Sequence, residues 1–217
     1  LFPSRKSTME TATLKYPEVK NYVSGKFLPN GKKSMEVISP LTGKVISTVP
    51  LSTAQDLDEA VKAAKAAFPA WSAMPIKERV QIFYRYKTLM EKHLTELSNL
   101  VSVENGKTFD EAKAEVEKSI ELTEFACSMP QLISGEILEV SRGVECRVEH
   151  KPLGVVASIA PFNFPHMVPH WTVPNALVLG NCMILKPSEQ VPISSNRIAE
   201  MLKEAGLPDG VLNIVNG

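Results

Sequence analysis

The sequence has few cysteines, and those few are scattered. Cys127, Cys146 and Cys182 are odd in number and outside any C-x-x-C spacing. They give no disulfide framework and suit reduced thiols in an intracellular compartment, cytoplasmic or alternatively the mitochondrial matrix. No Cys/His cluster has ligand spacing, so no metal site is expected. An excess of either charge is also missing, because 24 basic residues meet 24 acidic ones. Without a basic patch to neutralise phosphates, nucleic acid is excluded as a partner.

Asp, Glu, Lys and Arg are absent from residues 153–185. Length alone nominates a membrane-spanning helix there. Pro161, Pro165, Pro169 and Pro174 would break it, and Asn163, Asn175 and Asn181 would load it with amides. The stretch reads instead as a strand, a helix and a strand in a soluble domain, and a membrane role is excluded. The glycine turn G-x-G-x-x-G is also missing after the first of these strands, where "ASIAPFNFP" stands. A dinucleotide bound here does not use the usual Rossmann turn.

What is present has a clear order. Residues 1–14 read as a disordered leader or tag, basic and Ser/Thr-containing at the start. "YVSGKFLPNGKKSMEVISPLTGKVISTVPL" predicts two or three short antiparallel strands. Thr53 opens a helix with Asp56 in capping-box position, followed by apolar residues at helical spacing to Trp71. A second long helix is expected from Pro75 to "ENGK". "TFDE" at 108–111 opens a third, through Val116, Ile120 and Phe125. "EILEVSRGVECRVEH" predicts a hairpin with mixed faces, too poor in apolar surface to stand alone.

A β-α-β-α-β series then begins. "LGVVASIA" is expected to be a strand buried on both faces, a helix covers about 168–179, and "NCMILK" is the next strand. An amphipathic helix closed by Gly206 leads to "VLNIVNG". Helical crossovers between apolar strands imply a right-handed doubly wound α/β sheet. Three parallel strands with an exposed edge make a poor end point, so the sequence reads as the front part of a larger protein.

Ligands of such sheets sit outside the carboxyl ends of the strands, here "APFNFP" and "KPSEQVP". Asn163 either bonds local backbone in its turn or serves as an oxyanion donor held by flanking Pro and Phe. Lys186 and Glu189 are either a solvated pair or donor and acceptor for a ribose. His166 and His170 stand at i, i+4 but lack the intervening Glu of a metalloprotease helix, and Cys182 lies within a strand as packing.

"PFNFP", "GN-x-x-I-L-K-P-S-E" and "AGLPDGVLNIVNG", in this order, resemble the NAD-dependent aldehyde dehydrogenase superfamily. "FPAW", "ENGK" and the "EHKPLGVVASIAPFNFP" join extend the resemblance over nearly the whole chain from about Tyr22. Phe162, "FACSMPQL" and "GEIL" look most like its CoA-acylating methylmalonate-semialdehyde dehydrogenase branch. The resemblance implies an aldehyde dehydrogenase-like fold with N-terminal helices, and a division into 15–135 and 153–217 of an NAD-binding domain. A protruding arm at 136–152 would join subunits into dimers or tetramers.

The resemblance further implies that Asn163 stabilises the tetrahedral oxyanion, and that Lys186 and Glu189 hold the adenosine ribose. Ala160, Pro161, Phe162 and Gln190 would line the NAD cleft. A cysteine thiolate would attack an aldehyde or semialdehyde, hydride would pass to NAD, and CoA or water would release the product. None of the three cysteines matches that nucleophile. The nucleophile, its glutamate base and the glycine-bearing loop after strand four are expected beyond Gly217, leaving this chain inactive alone. Where the branch holds the substrate carboxylate with arginine, "EVEKSIEL" offers Lys118, which lacks the bidentate fork. A hydrolytic dehydrogenase and a non-catalytic dinucleotide-binding or oligomerisation module are the alternatives.

Overall fold

A computed structural model describes residues 14–29, 31 and 33–217. The expected leader falls, apart from Leu14, outside the described residues. Four short strands come first: β1 (Tyr22–Val23), β2 (Lys26–Phe27), β3 (Ser34–Ile38) and β4 (Val45–Pro50). β1 pairs with β2, and β3 with β4, both antiparallel.

Four long helices follow. In α1 (Ala54–Ala73), Thr53 and Asp56 exchange the reciprocal bonds of a capping box, which satisfies amides the first turn leaves unpaired. Trp71, fully buried, donates its indole N–H to the Leu177 carbonyl at 3.0 Å. The expected single helix from Pro75 is two, α2 (Ile76–Lys92) and α3 (Leu94–Asn105), broken at His93. Each half keeps its own apolar stripe, so periodicity alone could not locate the break. α3 ends at Gly106, whose φ of +87° suits a residue without a side chain. Thr108 and Glu111 form the second capping box, opening α4 (Phe109–Cys127). Val116 is buried on α4, whereas Phe125, expected on the same stripe, faces solvent. A short turn, α5 (Met129–Leu132), leads on.

The hairpin is β5 (Glu136–Ser141) and β6 (Val144–Val148), exposed at every residue. Its faces are mixed, as expected. The register pairs Leu138 with Cys146 and Glu136 with Val148, so Leu138, Val144, Cys146 and Val148 share one face with Glu136. The opposite face carries Glu139, Glu145 and Arg147 with Ile137, and a register shift follows Glu139.

The core sheet is built from β7 (Val155–Ile159), β8 (Cys182–Lys186) and β9 (Leu212–Ile214), parallel and in sequence order. Their crossovers are α6 (Met167–Val178) and α7 (Ile193–Glu204). α2, α3 and α4 pack onto these crossovers, while α1 packs against the strands directly. One apolar core joins residues of α1, α2 and α4 to the sheet and its crossovers.

Two expectations about this sheet fail. The outer edge of β9 is not open, because β1 pairs antiparallel to it through Tyr22 and Ile214. The strand buried on both faces is β8 but not β7, which is the edge strand among the described residues. Ile159 is 79% exposed and Leu153, just before the strand, 91%. Among the described residues no helix is long and apolar enough to cross a membrane.

Candidate functional site

The carboxyl ends of β7 and β8 meet through a hydrogen bond from the Ala160 N–H to the Lys186 carbonyl, 2.9 Å. Ala160 is buried, and the chain then emerges as Pro161, Phe162 and Asn163, all exposed. This turn is held from behind by the α3–α4 connection. Asn105 Nδ2 donates to the Phe162 carbonyl at 2.8 Å, and Lys107 Nζ donates to the Asn163 carbonyl at 2.7 Å. Among the described residues no hydrogen bond engages the Asn163 carboxamide. A structural asparagine would spend its amide on local backbone. Here the backbone is tied and the amide is free.

Two buried carboxylates brace the crossovers that follow. Glu115, on α4, pairs with Lys107 and accepts from the backbone N–H groups of His166 (2.8 Å) and Met167 (3.1 Å), at the start of α6. Glu104, on α3, accepts from the N–H groups of Ile193 (2.9 Å) and Ser194 (3.0 Å), at the start of α7, and from the Ser194 hydroxyl. Among the described residues neither helix has a capping bond from its own N-cap side chain. Burial pushes the Glu104 carboxyl up to about 7, against the opposing pull of its hydrogen bonds. Sequence reasoning missed Glu104, Asn105, Lys107 and Glu115 as parts of the site. The available signal was a carboxylate on each apolar stripe, Glu104 after Leu97, Leu100 and Val101, and Glu115 beside Ala112 and Val116.

At the end of β8, Lys186 Nζ stands 3.0 Å from Glu189 Oε2, both half-exposed. The Glu189 backbone N–H and then Lys186 hold its carboxyl below the ordinary range. Phe162, Asn163 and Gln190 line one groove of about 630 Å³ together with Glu104, Asn105 and residues of β3. Ala160, Pro161, Lys186 and Glu189 belong to the same strand ends but do not line that groove.

The donor set suits a ribose better than a pyrophosphate. A charged donor and a charged acceptor side by side match two vicinal hydroxyls. The usual phosphate seat, a helix N-terminus, is filled by a carboxylate on both crossovers. This agrees with the missing glycine turn.

The remaining candidates are structural. His166 and His170 are buried and stacked, 4.6 Å between ring centroids. His170 Nδ1 donates to the His166 carbonyl at 2.6 Å, so its Nε2 accepts from the Tyr86 hydroxyl at 2.8 Å. Burial lowers both imidazoles, His170 to about 4. Burial also raises the Cys127 and Cys182 thiols to about 11, which makes poor nucleophiles. Lys118 pairs with Glu121 on the exposed side of α4 and does not line the groove. Among the described residues no group of three or more His, Cys, Asp or Glu side chains is placed to hold a metal ion.

A family model described as the aldehyde dehydrogenase family matches residues 27–217. Malonate-semialdehyde dehydrogenase 2 of Bacillus mycoides (strain KBAB4) is 49% identical over 201 residues, covering 92% of this chain and 42% of the relative. Malonate-semialdehyde dehydrogenase 1 of Geobacillus thermodenitrificans (strain NG80-2) is 47% identical with the same coverage. Among solved structures, a methylmalonate-semialdehyde dehydrogenase from Oceanimonas doudoroffii superposes with a TM-score of 0.91 at 41% identity, over 93% of this chain and 42% of that one. A putative methylmalonate-semialdehyde dehydrogenase from Sinorhizobium meliloti 1021, complexed with NAD, also scores 0.91 at 38% identity, over 95% and 42%. The chain thus spans 42% of the length of these relatives, their N-terminal part.

Proposed function

The chain belongs to the aldehyde dehydrogenase family, and from that premise we propose that it supplies the NAD-binding part of an enzyme that oxidises a semialdehyde. The names of the relatives point to malonate or methylmalonate semialdehyde as the substrate, and to this reading we add CoA as the acyl acceptor. Asn163 donates its carboxamide to the carbonyl oxygen as charge develops there. Lys186 and Glu189 bind the adenosine ribose of NAD, and Ala160, Pro161, Phe162 and Gln190 form the adjoining wall. NAD supplies the hydride acceptor when bound. Residues 15–135 and 153–217 act as one NAD-binding unit, while 136–152 is the arm through which subunits associate. The bacterial relatives fit a cytoplasmic setting.

The observation that carries this reading is the Asn163 turn. Its carbonyl is fastened by Lys107, its neighbour's by Asn105, and its amide is left free at the mouth between two strand ends. A donor fixed before the charge appears needs no reorganisation when it does. The test is Asn163→Ala in the full-length protein. Turnover should fall by roughly 10²–10³ with NAD affinity nearly unchanged. An unaltered kcat removes Asn163 from the chemistry.

A further inference from the structure

We propose that Lys107 is a positioning residue for the Asn163 carboxamide, an inference that rests on the oxyanion role given to Asn163 above. The Lys107 ammonium makes three contacts, and each fixes one part of the turn. It donates to the Asn163 carbonyl, pairs with the buried Glu115 carboxylate and lies 3.7 Å from the centroid of the Phe164 ring. Its side chain is 18% exposed and that of Glu115 1%. Glu115 in turn holds the N–H groups of His166 and Met167. The backbone on both sides of Phe164 is therefore referred to a single buried ion pair.

The geometry separates this from charge neutralisation alone. A lysine needed only to balance Glu115 has no reason to reach the Asn163 carbonyl or to sit over the next ring. The pair is stiff, because removing Lys107 would leave the buried Glu115 carboxylate uncompensated, which is costly. The carboxamide is one side chain away from that fixed carbonyl, and a displacement of about 1 Å at such a group lowers rates by up to about a hundredfold. Gly106 and the end of α3 place the lysine, since Gly106 adopts a left-handed φ that turns the chain from α3 into Lys107.

The experiment is a double-mutant cycle in the full-length protein, with kcat, both KM values and the unfolding midpoint read for each variant. Lys107→Met should lower kcat by about 10- to 100-fold, with KM for NAD changing less than about twofold. Lys107→Arg, which keeps a cationic donor, should restore most of kcat. In the Asn163→Ala background, Lys107→Met should have almost no further effect on kcat, because the group it positions is gone. Should Lys107→Met unfold the protein by stranding the Glu115 charge, the same cycle is run with Glu115→Gln in every member. Equal losses from Lys107→Met with and without Asn163 would overturn the positioning role and leave the oxyanion reading standing. An Asn163→Ala variant of unaltered kcat would overturn the oxyanion reading itself, and the inference with it.

Discussion

Glu104, near the end of α3, and Ser194, in the first turn of α7, are joined by two hydrogen bonds across 90 residues of sequence. The carboxylate does for α7 what an N-cap side chain does for an ordinary helix, but from another element. Glu115 does the same for α6. The helices behind both strand-end turns are thereby anchored to the α3–α4 corner.

Replacing Glu104 by Ala should destabilise the protein by about 2–4 kcal/mol, because two buried N–H groups and a hydroxyl lose their acceptor. Urea denaturation of the two proteins measures it, and a loss under about 0.5 kcal/mol would contradict the cap.

The Glu104 carboxyl also makes a pH prediction. Between its ordinary value of 4.5 and about 7 the native state keeps a proton that the unfolded chain has released. Its contribution to stability is therefore fully present below that window and is lost as pH rises through it. Glu104→Gln should flatten that part of the stability profile.

His170 acts in the opposite sense. Burial holds it neutral down to about 4, whereas the unfolded imidazole takes its proton near 6.5. Stability from this group is present above 6.5 and falls as pH drops toward 4, by about 3 kcal/mol in all. Tyr86→Phe, which removes the hydroxyl on His170 Nε2, should cost about 1–3 kcal/mol at neutral pH. Equilibrium unfolding at several pH values reads both effects.

If Glu189 holds the ribose as proposed, Glu189→Gln in the full-length protein should weaken NAD binding by about tenfold, since one charged hydrogen bond becomes neutral. Turnover at saturating NAD should be nearly unchanged. Calorimetric titration together with steady-state rates separates the two, and an unchanged affinity would take Glu189 out of the ribose site.

The exposed face of the hairpin gives a prediction about assembly. Leu138→Asp places a charge among Val144, Cys146 and Val148 on that face. Sedimentation should show a smaller species, while circular dichroism is unaltered because Leu138 is 64% exposed within the subunit. An unchanged sedimentation profile would count against the arm.

Features encoded locally could be read from sequence. The boxes at Thr53–Asp56 and Thr108–Glu111 involve residues three apart, and the apolar run of β8 advertises its burial directly, whereas the equally apolar run of β7 does not lie buried. The break at His93 could not be read, because both halves satisfy one helical period. The hairpin's mixed faces could be read from its alternation, but the register shift after Glu139 could not. At the site, the strand-end residues followed from topology. The clamp of Asn105, Lys107 and Glu115 depended on contacts 51–57 residues apart in sequence. "ENGK" marked the place without disclosing its role.

The pairing of Tyr22 with Ile214 bears on biosynthesis. The segment that closes the sheet leaves the ribosome early, and its partner strand follows about 190 residues later, a wait of roughly 10–40 s at ordinary translation rates. For that interval the N-terminal segment has no strand to complete, and the sheet cannot seal until β9 arrives. Nascent chains halted before Leu212 should thus be far more open to protease at residues 14–29 than chains released past Ile214.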